Sequence, residues 1–129
     1  MERQNVLLGS PYEEIVGFSR AVRVGPFISV GGTAPIGDDG ETVGVDDVGA
    51  QARRCFEIIR TALEGAGANL SDVVRTRMYA VDASDWDAVG RAHGEFFRDI
   101  YPAATLVVVK GLLDPRWRVE IEAEAEVLS

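Results

Sequence analysis

Two residue types that build catalytic and metal centres are nearly missing from this chain, which has one cysteine, Cys55, and one histidine, His93. A single cysteine excludes an intrachain disulfide and any multi-cysteine metal site. A single histidine excludes a multi-histidine metal site, and a Ser-His-Asp triad would have to be built around His93 alone. Positive charge is scarce too: 13 Lys and Arg stand against 21 Asp and Glu, a net charge of −8. Such a surface repels phosphate backbones and anionic lipid, because non-specific nucleic-acid affinity comes largely from Lys and Arg. Neither nucleic acid nor a membrane is therefore expected as a partner. No apolar run approaches the roughly 20 residues that cross a bilayer. The opening Met-Glu-Arg-Gln-Asn lacks the basic and then apolar blocks of a secretory signal, so a cytoplasmic location is expected.

What the chain has is the make-up of one globular domain, 1–129, with 47% hydrophobic and 26% charged residues. Residues 1–15 read as an irregular N-terminal arm. Strand-like patterns run over 16–25 and 27–32, with Gly25-Pro26 as the tight turn of a hairpin. The stretch 35–44 reads as a loop with a short strand near Thr42-Val43. Val48, Ala52, Cys55, Phe56, Ile59, Ala62, Leu63 and Ala66 recur at helical spacing, with Asp46 or Asp47 to cap the start and Gly65 or Gly67 to end it. Cys55 falls inside that apolar stripe and reads as a buried structural thiol.

A strand follows over 73–81, with Val74, Met78 and Ala80 on one face and Arg75, Arg77 and Tyr79 on the other. Ser84 and Asp87 resemble a capping box opening a second helix, whose stripe is Trp86, Val89, His93, Phe96, Phe97 and Ile100. His93 then reads as a hydrogen-bonded packing residue. The apolar run 104–110 suits a strand buried on both faces. The last strand, 117–128, alternates Trp117, Val119, Ile121, Ala123, Ala125 and Val127 with Arg118, Glu120, Glu122, Glu124 and Glu126. The order ββ-α-β-α-ββ implies an α+β domain with two helices on one face of a mixed sheet. Its second face keeps the valine-rich strand in contact with water, so self-association is expected.

These residues, taken in order, resemble the RidA/YjgF (reactive intermediate deaminase) family. Phe18-Ser19-Arg20-Ala21-Val22 and Gly31-Gly32-Thr33-Ala34-Pro35 are similar to the family's Tyr-Ser-x-Gly-Val strand and Ser-Gly-Gln-x-Pro turn. Gln51-Ala52-Arg53 through Asp72-Val73-Val74-Arg75-Thr76, then Gly94-Glu95-Phe96-Phe97 and Tyr101-Pro102-Ala103, follow at near-constant spacing. Val119-Glu120-Ile121-Glu122-Ala123 resembles the closing Val-Glu-Ile-Glu-Ala strand. The resemblance implies a chorismate-mutase-like fold, a homotrimer, and a small-molecule site between subunits. It also implies cofactor-independent hydrolysis of reactive 2-enamines and 2-imines to 2-keto acids and ammonia, with no metal.

Carried over position by position, the resemblance makes Glu120 the catalytic carboxylate that orients water. It places Phe18, Gly31, Gly32, Thr33, Gly90, Ala104, Thr105 and Leu106 around the ligand. The family's Pro-Ala-Arg-Ser/Thr reads Pro102-Ala103-Ala104-Thr105 here, so Ala104 stands where the arginine grips a substrate carboxylate. Phe18 lacks the tyrosine hydroxyl, Gly31 replaces a serine, and Gly90 replaces an asparagine. A bidentate arginine–carboxylate pair is among the strongest polar contacts a site can make, so ordinary 2-imino acids lose their main anchor. Arg20 shares a side of its strand with Phe18 and is the first substitute to consider, ahead of Arg116 and Arg118. The alternatives to a hydrolase are a non-catalytic binding trimer and a ribonuclease, the last disfavoured by the acidic surface.

Overall fold

The computed structural model describes residues 2–128. Among them, nine helices and strands follow one another, joined in two places by a short 3-10 turn. They are β1 (Arg3–Val6), α1 (Pro11–Val16), β2 (Ala21–Val24), β3 (Phe27–Thr33), α2 (Val48–Gly65), β4 (Val73–Ala80), α3 (Trp86–Phe97), β5 (Ala103–Val108) and β6 (Val119–Glu126). The strands lie in the order β1-β2-β3-β6-β4-β5, antiparallel except for the parallel β4–β5 pair at one edge. One face of this sheet is covered by α2 and α3, giving the expected α+β architecture with a mixed sheet.

The core lies between that face and the two helices. Phe56, Ile59 and Leu63 of α2 and Val89 and Phe97 of α3 are buried against Ile28, Val30, Val119 and Ile121 of the sheet. The Phe56 ring meets Phe97 edge-on at 5.5 Å and His93 at the same distance. His93 Nε2 lies 2.8 Å from Thr76 Oγ1, so the histidine is a hydrogen-bonded packing residue. Burial lowers its pKa and keeps the ring neutral. Cys55 is fully buried, and burial pushes its thiol far above the ordinary range, which makes it unreactive. α2 starts at Asp47, whose side chain accepts from the Ala50 N–H, and its exit is turned by Gly67 at φ +82°.

Several expectations need correction. The arm 1–15 is ordered, because β1 pairs with β2 and α1 has real start signals. Ser10 caps it, Pro11 opens it, and Glu13 and Glu14 lie in its first turn. Val16 therefore ends a helix, and the strand before the Gly25-Pro26 turn begins only at Ala21. Ser84 and Asp87 form no capping box. Asp82 accepts from Ser84 in a 3-10 turn, and Asp87 pairs with Arg91 at 2.8 Å. Trp86 is exposed rather than part of the buried stripe. In β4 a register shift between Val73 and Arg75 turns Val73 inward and leaves Val74 in solvent.

The apolar run is not buried on both faces within one chain. β5 is an edge strand whose residues are all exposed or half-buried, and only its Leu106 packs against the core. In the loop 35–44 an isolated bridge joins Ile36 to Thr42. The glutamate row of β6 does lie on the helix-free face, where Arg77 pairs with Glu124 and the Tyr79 hydroxyl donates to Glu122 at 2.6 Å.

Candidate functional site

The site grows from an irregularity between β3 and β6. These strands pair regularly from Phe27–Glu126 to Val30–Ala123 and resume at Thr33–Ile121. β3 spends three residue steps where β6 spends two, so the backbone bulges at Gly31-Gly32. Glu120 is the next residue of β6. A side chain at Gly32 would put its Cβ only 2.6 Å from Glu120 Oε2, so the carboxylate lies directly against the glycine backbone. This is a close approach that only glycine permits.

Arg20, just before β2, ties the bulge together. Its carbonyl accepts from the Gly31 N–H at 2.9 Å. Its Nη1 donates to the Gly32 carbonyl at 2.6 Å and to Thr33 Oγ1 at 2.9 Å. The Thr33 hydroxyl in turn donates to the Gly31 carbonyl at 2.8 Å. The guanidinium stacks 5.3 Å from the Phe18 ring centroid, a cation–π contact that uses the ring and needs no hydroxyl. Burial lowers the Arg20 pKa, and the negative charges of Glu13 and Glu120 oppose the shift.

Glu120 is half-buried, and among the described residues no group donates a hydrogen bond to its carboxylate. Burial raises its pKa, Arg20 pulls it back down, and Glu122 pushes it up again. Glu122 and Glu124 in the same row are each held by a partner on β4. A carboxylate with no fixed partner and a raised pKa is suited to accept a proton from water.

The remaining residues named from the sequence divide by face. Thr105 is on the same side of the sheet as Glu120, in the row of Arg77 and Glu122, and accepts from Arg75 at 2.7 Å. Ala104 stands in the row of Thr76 and Ala123, and Leu106 in that of Met78 and Ile121, both on the helix-side face. Gly90 lies on α3 in the helix layer, with no atom within 4 Å of where a side chain would begin. One chain thus gathers Phe18, Arg20, Gly31, Gly32, Thr33 and Glu120 around the bulge, Thr33 itself standing in the helix-side row of Ile121, and holds Ala104, Leu106 and Gly90 away from it.

Glu13 was not singled out by sequence reasoning. It is buried, and its carboxylate accepts from the Leu8 and Gly9 N–H groups at 3.0 Å each. Its signal was the Ser-Pro-x-Glu start of α1, hidden inside a stretch that reads as polar arm.

Among the described residues no helix is long and apolar enough to cross a membrane. Residues 10–127 match the family model described as Endoribonuclease L-PSP. An uncharacterized protein of Streptomyces coelicolor is 39% identical over 122 residues, 95% of this chain and 90% of that protein. The 3-aminoacrylate deaminase RutC of Acinetobacter baylyi is 32% identical over 107 residues, covering 83% of this chain and 84% of the relative. A crystal structure of a YjgF-family member from Mycobacterium tuberculosis superposes with a TM-score of 0.89 at 45% identity, over 98% of this chain and 100% of that one. With the bulge, the paired helices and the glutamate-bearing last strand in place, the chain belongs to the YjgF/RidA family and has its chorismate-mutase-like fold.

Proposed function

We propose that this protein is a cofactor-independent hydrolase of reactive imines or enamines, working as a homotrimer, with Glu120 as the carboxylate that orients and deprotonates water. The observation that carries this reading is the half-buried, unpartnered Glu120 carboxylate lodged against Gly32. The deaminase name of the Acinetobacter relative supports the reaction class. Water held by Glu120 adds to the carbon of a protonated C=N bond and gives its proton to the carboxylate. The resulting carbinolamine then takes a proton on nitrogen, its hydroxyl gives up a proton to solvent as the C–N bond breaks, and ammonia leaves a carbonyl product.

The trimer and an interface site are supported by two features. Val107 and Val108 remain exposed along the β5 edge, and among the described residues α2 and α3 pack on the other face of the sheet, away from the glutamate row. Ala104 and Glu120 project from opposite faces, so if both border one ligand they come from different copies. Sedimentation should report three chains of 13.9 kDa each. A monomer at micromolar concentration would contradict the interface site.

Substrate choice follows from Ala104. Without an arginine there, the chain is suited to an imine that lacks a carboxylate or is anchored otherwise. A lost charge-assisted anchor costs roughly 2–5 kcal/mol, a factor of tens to thousands in rate. Ammonia release from freshly generated imines, with and without a carboxylate, is the test. The uncharged imines should be turned over, the 2-imino acids should be slow, and Ala104→Arg should raise the 2-imino acid rate at least about tenfold. No ammonia from any of these imines would overturn the hydrolase reading.

A further inference from the structure

We infer that Arg20 is a positioning residue for Glu120, not a replacement for the anchor missing at Ala104: it clamps the Gly31-Gly32-Thr33 bulge on which the Glu120 carboxylate rests. The inference rests on the reading of Glu120 as the working carboxylate and names the residue that holds it in place.

The clamp touches every residue of the bulge. The Arg20 backbone carbonyl takes the Gly31 N–H, and its Nη1 bonds both the Gly32 carbonyl and the Thr33 hydroxyl. A bulge is the irregular part of a ladder, with one residue left outside the pairing, so its backbone carbonyls need partners from elsewhere. Arg20 supplies one for Gly32, and Thr33 supplies one for Gly31. Gly32 then sets where Glu120 sits, since the carboxylate packs against its backbone within side-chain distance.

The orientation of the guanidinium is set three ways, by the two Nη1 bonds, by the Phe18 ring beneath it and by the planarity of the group. An arginine so committed costs a great deal to swing towards a ligand. Yet it makes no ion pair with Glu120 within 4 Å among the described residues, so the carboxylate stays free to hold water. Arg20 acts on Glu120 at longer range, favouring its charged form. Glu13, held by two backbone N–H groups of the N-terminal segment, favours the charged form of Arg20. The segment before β2 is thereby built into the site.

The test is made on the ligand-free protein, with carbon-13-labelled glutamate carboxyls and backbone amides followed by NMR as pH is varied. The groups near the Glu120 carboxylate are Arg20, Glu122 on its own strand, Tyr79 across from it on β4 and Cys55 from α2. In Arg20→Gln the Glu120 titration should move to higher pH, because a nearby positive charge is gone, and the amides of Gly31, Gly32 and Thr33 should shift. In Arg20→Lys the charge remains and the planar fork does not. The Glu120 titration should then stay near its wild-type position while the same three amides move. The backbone amide of Glu124, a residue held by Arg77 away from the bulge, should stay in place in both variants. Should Arg20→Gln fail to fold, the amide shifts of Arg20→Lys decide alone. Unmoved bulge amides in either variant, or an unmoved Glu120 titration in Arg20→Gln, would overturn the inference. So would a KM for carboxylate-bearing imines that rises in Arg20→Lys with the bulge undisturbed, since that is the behaviour of a substrate anchor. The titration needs no turnover, so absence of imine hydrolysis would count against the proposed activity and leave this result standing.

Discussion

Gly32→Ala is expected to leave the fold standing and to lower kcat/KM for imine hydrolysis by about a hundredfold or more, the usual consequence of shifting a catalytic group by an ångström. The backbone at Gly32 has no left-handed φ, so an alanine meets no conformational strain there. What the new methyl meets is Glu120 Oε2, at 2.6 Å, the far end of a flexible side chain. The carboxylate can swing away at little cost, so stability should change by no more than about 1 kcal/mol. The site loses its geometry all the same, because Glu120 no longer lies in the hollow of the bulge. Denaturant unfolding and initial rates, measured on the same preparation, separate the two effects. An unchanged kcat/KM would mean that the contact between Gly32 and Glu120 does not matter to the chemistry.

The sequence carried the architecture wherever periodicity was long. α2 shows an unbroken apolar stripe from Val48 to Leu63, and β6 alternates without a slip from Val119 to Ala125; both lie where the pattern puts them. Short or irregular pieces were harder to read. The six residues of α1 are too few to draw a stripe, and the helix rests on its cap and on Glu13 bonding the preceding loop. Val74 went to the wrong face because alternation assumes an even ladder, and one register shift inverts it. The valine run reads as buried because composition reports what a strand can tolerate, not its position in the sheet. Strand order is set by long-range pairing, and here it puts β5 at the edge.

The site was legible only in part, for related reasons. Glu120 could be named from the family pattern, but nothing in a row of alternating glutamates tells one from another. The difference comes from the opposite strands: Tyr79 and Arg77 hold Glu122 and Glu124, whereas Glu120 faces a bulge. The bulge itself was present in the sequence as two adjacent glycines, a signal of irregular pairing or close approach. Arg20 was correctly placed beside Phe18, but its partners, Gly32 and Thr33, are 12 and 13 residues away and follow from the hairpin register. That Ala104 faces away from Glu120 follows from the β4–β5–β6 pairing, which local pattern does not reveal.

Glu120 must differ from the other glutamates of its row for the site to work, and a paired substitution measures that. Because burial raises its pKa, folded Glu120 keeps its proton at pH values where the unfolded chain has lost it. Stability therefore falls as pH climbs from the ordinary glutamate range through the raised folded value, and the penalty stays constant above that. Glu120→Gln removes the penalty, so at neutral pH the variant should be as stable as the wild type or slightly more so, and the difference should vanish in acid. Its hydrolysis rate should fall by roughly 10²–10⁴, the usual worth of a positioned general base. Glu124→Gln breaks a solvent-screened pair with Arg77 and should cost little stability. It should leave turnover unchanged, since Glu124 lies down the strand from the bulge. The deciding measurement is kcat/KM for a carboxylate-free imine in Glu120→Gln and Glu124→Gln side by side: it should collapse in the first alone, and equal rates in the two would contradict a catalytic Glu120.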